Sequence, residues 1–132
     1  VAQLVRKQQP GSEEINFLPN ARRMASLMSE KRAKNIVAYD VRGLTVVADC
    51  FVLCTATSEP QLKAVANAIH EGLKEVGVGP LHREGAFSGG WLLLDYGDII
   101  VHIFREDARD FYDLDGLWGD APRFALDLDE RD

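Results

Sequence analysis

Apolar residues recur along this chain in two periods, and the changes between them mark its elements. Ala21, Met24, Leu27 and Met28 share one helical face. Asn20 is expected to cap that helix, which is predicted to run to about Lys34. Its outer face carries Arg22, Arg23, Lys31, Arg32 and Lys34, a run that most simply meets solvent. Ile36 to Val41 reads as a strand, and Asp40-Val-Arg-Gly43 leads into a turn. Cys50 to Thr55 is apolar on both faces over its first five residues, the pattern of a strand buried on both sides. Ser58-Glu-Pro-Gln61 then opens a helix. Ser58 can accept from the Gln61 amide while Gln61 reaches back. Pro60 fits the first turn, where its missing N–H is not needed. Leu62, Val65, Ala66, Ile69, Leu73 and Val76 form one stripe along it, and Gly77 and Gly79 stop it.

The clearest local signal follows a possible short strand at Leu81–Glu84 and a loop from Gly85 to Gly90. Two apolar runs, Trp91–Tyr96 and Ile99–Phe104, flank Gly97-Asp98 and predict a hairpin with a two-residue turn. Such a turn fixes register. Tyr96 then opposes Ile99, Leu94 opposes Val101 and Leu92 opposes Ile103, six residues on one apolar face. The other face pairs Asp95 with Ile100, Leu93 with His102 and Trp91 with Phe104. That face mixes an aromatic pair, an imidazole and a carboxylate, so it is neither plain core nor plain surface. A short helix is expected from Glu106 to about Tyr112, with Leu114 to Trp118 packing back on the sheet. Strands interleaved with helices predict an α/β (α+β) fold, a single domain with a mixed central sheet flanked by helices. Residues 1–19 read as a flexible lead-in, 20–121 as the domain and 122–132 as an acidic tail.

Composition narrows the function classes. The 132 residues are 46% hydrophobic and 27% charged, the balance of a globular domain. No apolar run approaches the roughly 20 residues of a membrane span, and no signal-peptide core is present, so no membrane partner is expected. The first residue is Val rather than Met, which suggests a processed chain. Net charge is −6, and residues 105–132 hold ten acids against four bases, whereas residues 1–104 carry eleven of each. Phosphates repel such an end, so direct sequence-specific nucleic-acid binding is not expected. A basic protein surface would suit it better.

Few residues offer chemistry. Cys50 and Cys54 lie roughly 13 Å apart along one strand, too far for a disulfide, and read as core thiols of a reducing compartment. His70, His82 and His102 fall in no metal spacing. Phosphate-binding glycine loops and nucleophile elbows are absent. Asp95 and Asp98 are three apart across a turn, and Asp113 and Asp115 have the right spacing for a shared cation but follow a helix. No catalytic residue, metal or cofactor is expected. Binding remains, and Trp91, Phe104, Phe111, Tyr112 and Trp118 are the aromatic candidates, Trp91 first because it shares the mixed face with His102 and Asp95.

The same residues resemble a known family. Asp40-Val-Arg-Gly-Leu44, Ala48–Ser58, Gln61–Ala66, Trp91–Phe104 and Phe111–Ala121 are similar, in that order, to the ribosomal silencing factor (Iojap-like) family. Departures are Asn35 where Asp is usual, Cys50 where Tyr is usual and Ala56 where Gly is common. The resemblance implies a translation repressor and not an enzyme. It implies a nucleotidyltransferase-like topology without the catalytic carboxylates. The expected partner is the large ribosomal subunit, bound through ribosomal protein L-fourteen so that the small subunit cannot join. A homodimer is implied, in the cytoplasm, or in an organelle where a transit segment has been removed. By motif position the contact residues would be Trp91, Leu92, Asp95, Tyr96, Asp98, His102 and Phe104, although register places Leu92 and Tyr96 on the packed face. The alternative is a diverged nucleotide-binding or nucleotidyl-transferring enzyme on the same fold, with Ser58 at a helix N-terminus as its phosphate contact.

Overall fold

The computed structural model describes residues 16–126 and 128. In chain order the elements are α1 (Leu18–Glu30), β1 (Lys34–Asp40), β2 (Cys50–Ala56), α2 (Glu59–Lys74), β3 (His82–Ala86), β4 (Trp91–Asp95), β5 (Ile99–Arg105), α3 (Glu106–Tyr112) and α4 (Leu114–Leu117). The strands form one sheet in the order β1-β2-β5-β4-β3. Only the central β2–β5 pair is parallel; the other three pairs are antiparallel. The mixed sheet flanked by helices is therefore as expected.

Pleating sends the two sets of side chains into two cores. Ala38, Cys50, Val52, Cys54, Leu92, Leu94, Ile99, Val101 and Ile103 pack against α1 and α2. Tyr39, Phe51, Leu53, Ile100 and Phe104 pack toward Ala108 of α3, Leu114 of α4 and Trp118. β2 and β5 are covered on both sides, which is why Cys50–Ala56 carries no exposed residue. The hairpin register holds in full: Trp91 faces Phe104, Leu92 faces Ile103, Leu93 faces His102 and Leu94 faces Val101. Gly97 takes φ +92° in its turn, a conformation only glycine adopts without strain.

The helix caps differ from expectation in instructive ways. α1 begins at Leu18, two residues before Asn20, and no side chain caps it. Pro19 occupies its first turn, and Phe17 anchors the entry by packing edge-on against Phe124 at 5.7 Å. Arg42 lies over both rings. α1 ends at Glu30 rather than Lys34, because Arg32 turns left-handed at φ +66°. At α2, Ser58 Oγ accepts from the Gln61 amide at 3.2 Å as expected. The Gln61 side chain reaches one residue further back, accepting from the Thr57 amide at 2.6 Å. Its amide nitrogen donates to the carbonyls of Lys31 and Arg32, both at 3.0 Å, so one side chain ties the α1 exit to the α2 entry. α2 ends at Lys74, and Val76, counted in its stripe, lies beyond it and is exposed.

The segment after residue 121 does not begin as a separate tail. The Asp40 amide donates to the Pro122 carbonyl at 2.7 Å, and the Phe124 amide donates to the Ala38 carbonyl at 2.9 Å. Phe124 and Leu126 pack on the α1–α2 core. This run covers the β1 edge of the sheet, a common protection of exposed edge hydrogen-bonding groups. Of the lead-in expected at residues 1–19, residues 1–15 lie outside the described residues, and Leu18 and Pro19 belong to α1; of the acidic tail expected at 122–132, residues 127 and 129–132 lie outside them.

Candidate functional site: the Trp91 face

The sheet face that carries Trp91 is covered at one end by α3 and α4 and left open toward β3 and β4. β3 exposes all five of its residues. Trp91 sits at the boundary, half-buried. Its ring lies 5.3 Å from Phe104 beneath it and 4.4 Å from Tyr112 of α3 beside it. Tyr112 in turn meets Phe111 edge-on at 5.1 Å. Phe111 is 81% exposed, so the aromatic chain runs from core to solvent. A small cavity of about 150 Å³ opens next to Trp91, lined by Glu84, Gly85, Trp91 and Leu93. Gly85 lets β3 lie close against the Trp91 backbone beside it. It takes φ +94°, and a Cβ there would stand 2.2 Å from the Trp91 carbonyl oxygen.

The seven expected contact residues divide by burial. Asp98 is exposed, and Trp91, Asp95 and Tyr96 are partly exposed. Asp95 Oδ1 accepts from the Gly97 amide at 2.8 Å, so the carboxylate shapes the turn as well as facing outward. Leu92, His102 and Phe104 are buried and have no surface to offer a partner. Leu92 belongs to the α1–α2 core and Phe104 to the opposite one. The expectation that these three make direct contact is corrected on that ground: the covering helices take both faces of β5 and one face of β4. Phe111 and Tyr112 are the surface aromatics that motif position passed over. Their placement in a seven-residue helix after a buried strand was the available signal.

His102 is buried on this face. Trp91 Nε1 donates to its Nδ1 at 3.2 Å, and its Nε2 is buried without a protein partner among the described residues. Phe51, Trp91 and Phe104 surround it. Burial pushes its pKa down to about 4, so the imidazole is neutral at physiological pH.

The carboxylates with the spacing for a shared cation are committed elsewhere. Asp113 Oδ1 accepts from the Gly116 amide at 3.0 Å and caps α4. Asp115 takes a bidentate pair from Arg109 at 2.7 and 2.8 Å and a hydrogen bond from the Tyr39 hydroxyl at 2.9 Å. These bonds hold its carboxyl below the usual range. Arg109 also donates to Thr55 Oγ1 and the Asn35 carbonyl, which locks α3 to β2 and to the start of β1. Asn35 stands at φ +52°, a conformation Asn and Asp tolerate best after glycine. Both cysteines are free and buried, and burial pushes each thiol up to about 12. No group of three or more His, Cys, Asp or Glu side chains among the described residues is arranged to hold a metal ion. No helix among them is long and apolar enough to cross a membrane.

Comparison with known proteins agrees with this architecture. The family model described as "Ribosomal silencing factor during starvation" matches residues 14–132. The ribosomal silencing factor RsfS of Bacillus subtilis is 41% identical over 104 residues, covering 79% of this chain and 88% of that protein. The chloroplastic protein Iojap of Zea mays is 30% identical over 119 residues, covering 90% of this chain and 52% of that longer protein. A crystal structure of a Chromobacterium violaceum protein superposes with a TM-score of 0.76 at 30% identity, covering 89% of this chain and 97% of that one. These names describe a regulator of ribosomes and not an enzyme. The match along nearly the whole chain and the shared fold place this protein in the ribosomal silencing factor family.

Proposed function

We propose that this protein represses translation by occupying the large ribosomal subunit at ribosomal protein L-fourteen, where it sterically prevents the small subunit from joining. The observation that carries the reading is the Trp91 face: an aromatic ring at the open end of the sheet, beside a cavity of side-chain size lined by Glu84, Gly85 and Leu93, with Asp95 at the far end of the same strand. Half-buried tryptophans next to a pocket are favoured anchors of protein interfaces. The acids of α3 and α4 surround the same end, so a basic protein surface is the complementary partner and bare RNA is not. Family membership directs that chemistry to the ribosome. The mechanism asks nothing of a catalytic group. It needs only a rigid body fixed where another body must go. A homodimer acting in the cytoplasm, or within an organelle as the chloroplastic relatives suggest, completes the proposal.

The test uses purified ribosomal protein L-fourteen and the intact large subunit in parallel. Wild-type protein is expected to bind both, and Trp91→Ala is expected to lose affinity for both. Binding to the subunit but not to L-fourteen would move the site elsewhere on the ribosome.

A further inference from the structure

His102 reads in the sequence as a contact residue, yet it is 5% exposed. Its neighbours explain why a histidine stands there. β4 and β5 bring Trp91 opposite Phe104, which leaves His102 on the diagonal from Trp91, within reach of large side chains. The indole has one polar atom, a donor, and it points inward to Nδ1 at 3.2 Å. To accept, Nδ1 must carry no proton, so the neutral ring holds its proton on Nε2. That second N–H is buried among Phe51, Trp91 and Phe104 and meets no acceptor among the described residues. An unpaired buried donor is unfavourable, and a phenyl ring would fill the same space without it. Core packing therefore does not account for the residue, and the bond to Trp91 does.

We propose that His102 is a positioning residue: by accepting the indole N–H from beneath, it holds Trp91 in one orientation and leaves only apolar ring facing a partner. The proposal rests on the reading of the Trp91 face given above. With its donor satisfied inside the domain, Trp91 can be dried by a docking protein without stranding a polar group. Phe104 and Tyr112 layer against the ring, but neither accepts its N–H, so they limit its position without fixing which edge faces in.

The test compares His102→Phe with His102→Asn. Phenylalanine keeps a flat ring and removes the acceptor. Asparagine restores an acceptor near the Nδ1 position. A purely structural role predicts that His102→Phe is at least as stable as wild type and binds as well. Positioning predicts that His102→Phe folds, loses exchange protection at the Trp91 indole N–H, and binds the large subunit about tenfold more weakly. His102→Asn is expected to recover most of both. The indole signals of Trp91 and Trp118 are told apart with Trp118→Phe, in nitrogen-labelled protein without ribosomes. Wild-type indole protection or wild-type subunit binding in His102→Phe, while Trp91→Ala loses binding, would overturn this proposal alone. Unchanged binding in Trp91→Ala would overturn the surface reading and this one together.

Discussion

Single residues on the Trp91 face carry two different burdens. Trp91 itself faces outward enough to be an anchor, and truncating an anchor typically removes about 2 kcal/mol of binding, about thirtyfold in affinity. Trp91→Ala should show that loss in subunit co-sedimentation while its far-ultraviolet circular dichroism stays native, because Trp91 lies at the margin of its core, half-buried. His102 faces inward, and besides seating Trp91 it makes stability depend on pH. Its folded pKa of about 4 lies below the ordinary 6.5, so the unfolded chain binds the proton more readily. Stability from this group is complete above about pH 6.5 and falls as pH drops toward 4, by about 3 kcal/mol in all. Urea unfolding across that range should show the slope in wild type and a flatter one in His102→Phe. The sequence placed His102 opposite Leu93 correctly, because a two-residue turn leaves no freedom in the register. It did not show the burial, which depends on Phe51, Trp91 and Phe104 closing around the ring, Phe51 coming from a strand about fifty residues earlier.

Elements hold the site through contacts far apart in the chain. α3 is only seven residues long, too short to be stable alone. Arg109 secures it by bonding Asp115, Thr55 and the Asn35 carbonyl, residues 6, 54 and 74 positions away. No periodicity or spacing announces such a bond, so the limits of α3 are legible in the sequence and its anchor is not. Arg109→Ala should destabilise the fold by about 2–3 kcal/mol, since it strands Asp115 and Thr55 and frees the helix that carries Tyr112. The midpoint of denaturant unfolding would report it. The β3–β4 pair has a comparable weak point. Gly85→Ala puts a methyl against the Trp91 backbone at a positive φ, and about 2 kcal/mol of lost stability is expected together with a displaced Trp91 ring. Unchanged stability and an unchanged Trp91 indole resonance in that variant would show that the strand relaxes there. By contrast, the α2 start was legible, since Ser58, Pro60 and Gln61 are local signals. The α1 start was not, because Phe17 is held by Phe124, more than a hundred residues away.

At the scale of the whole molecule, charge and shape divide the labour. The net charge of −6 belongs to residues 105–132, so any attraction for the proposed basic partner is concentrated in the last quarter of the chain. Such attraction weakens as salt screens it, while the apolar seat of Trp91 does not depend on salt in the same way. Under the proposed function, occupancy of the large subunit is itself the silencing act. Purified protein should be mixed with separated large subunits, sedimented, and then challenged with small subunits. Co-migration with the large subunit and fewer joined ribosomes are expected, both reduced in Trp91→Ala. Full joining in the presence of saturating bound protein would contradict the proposed function.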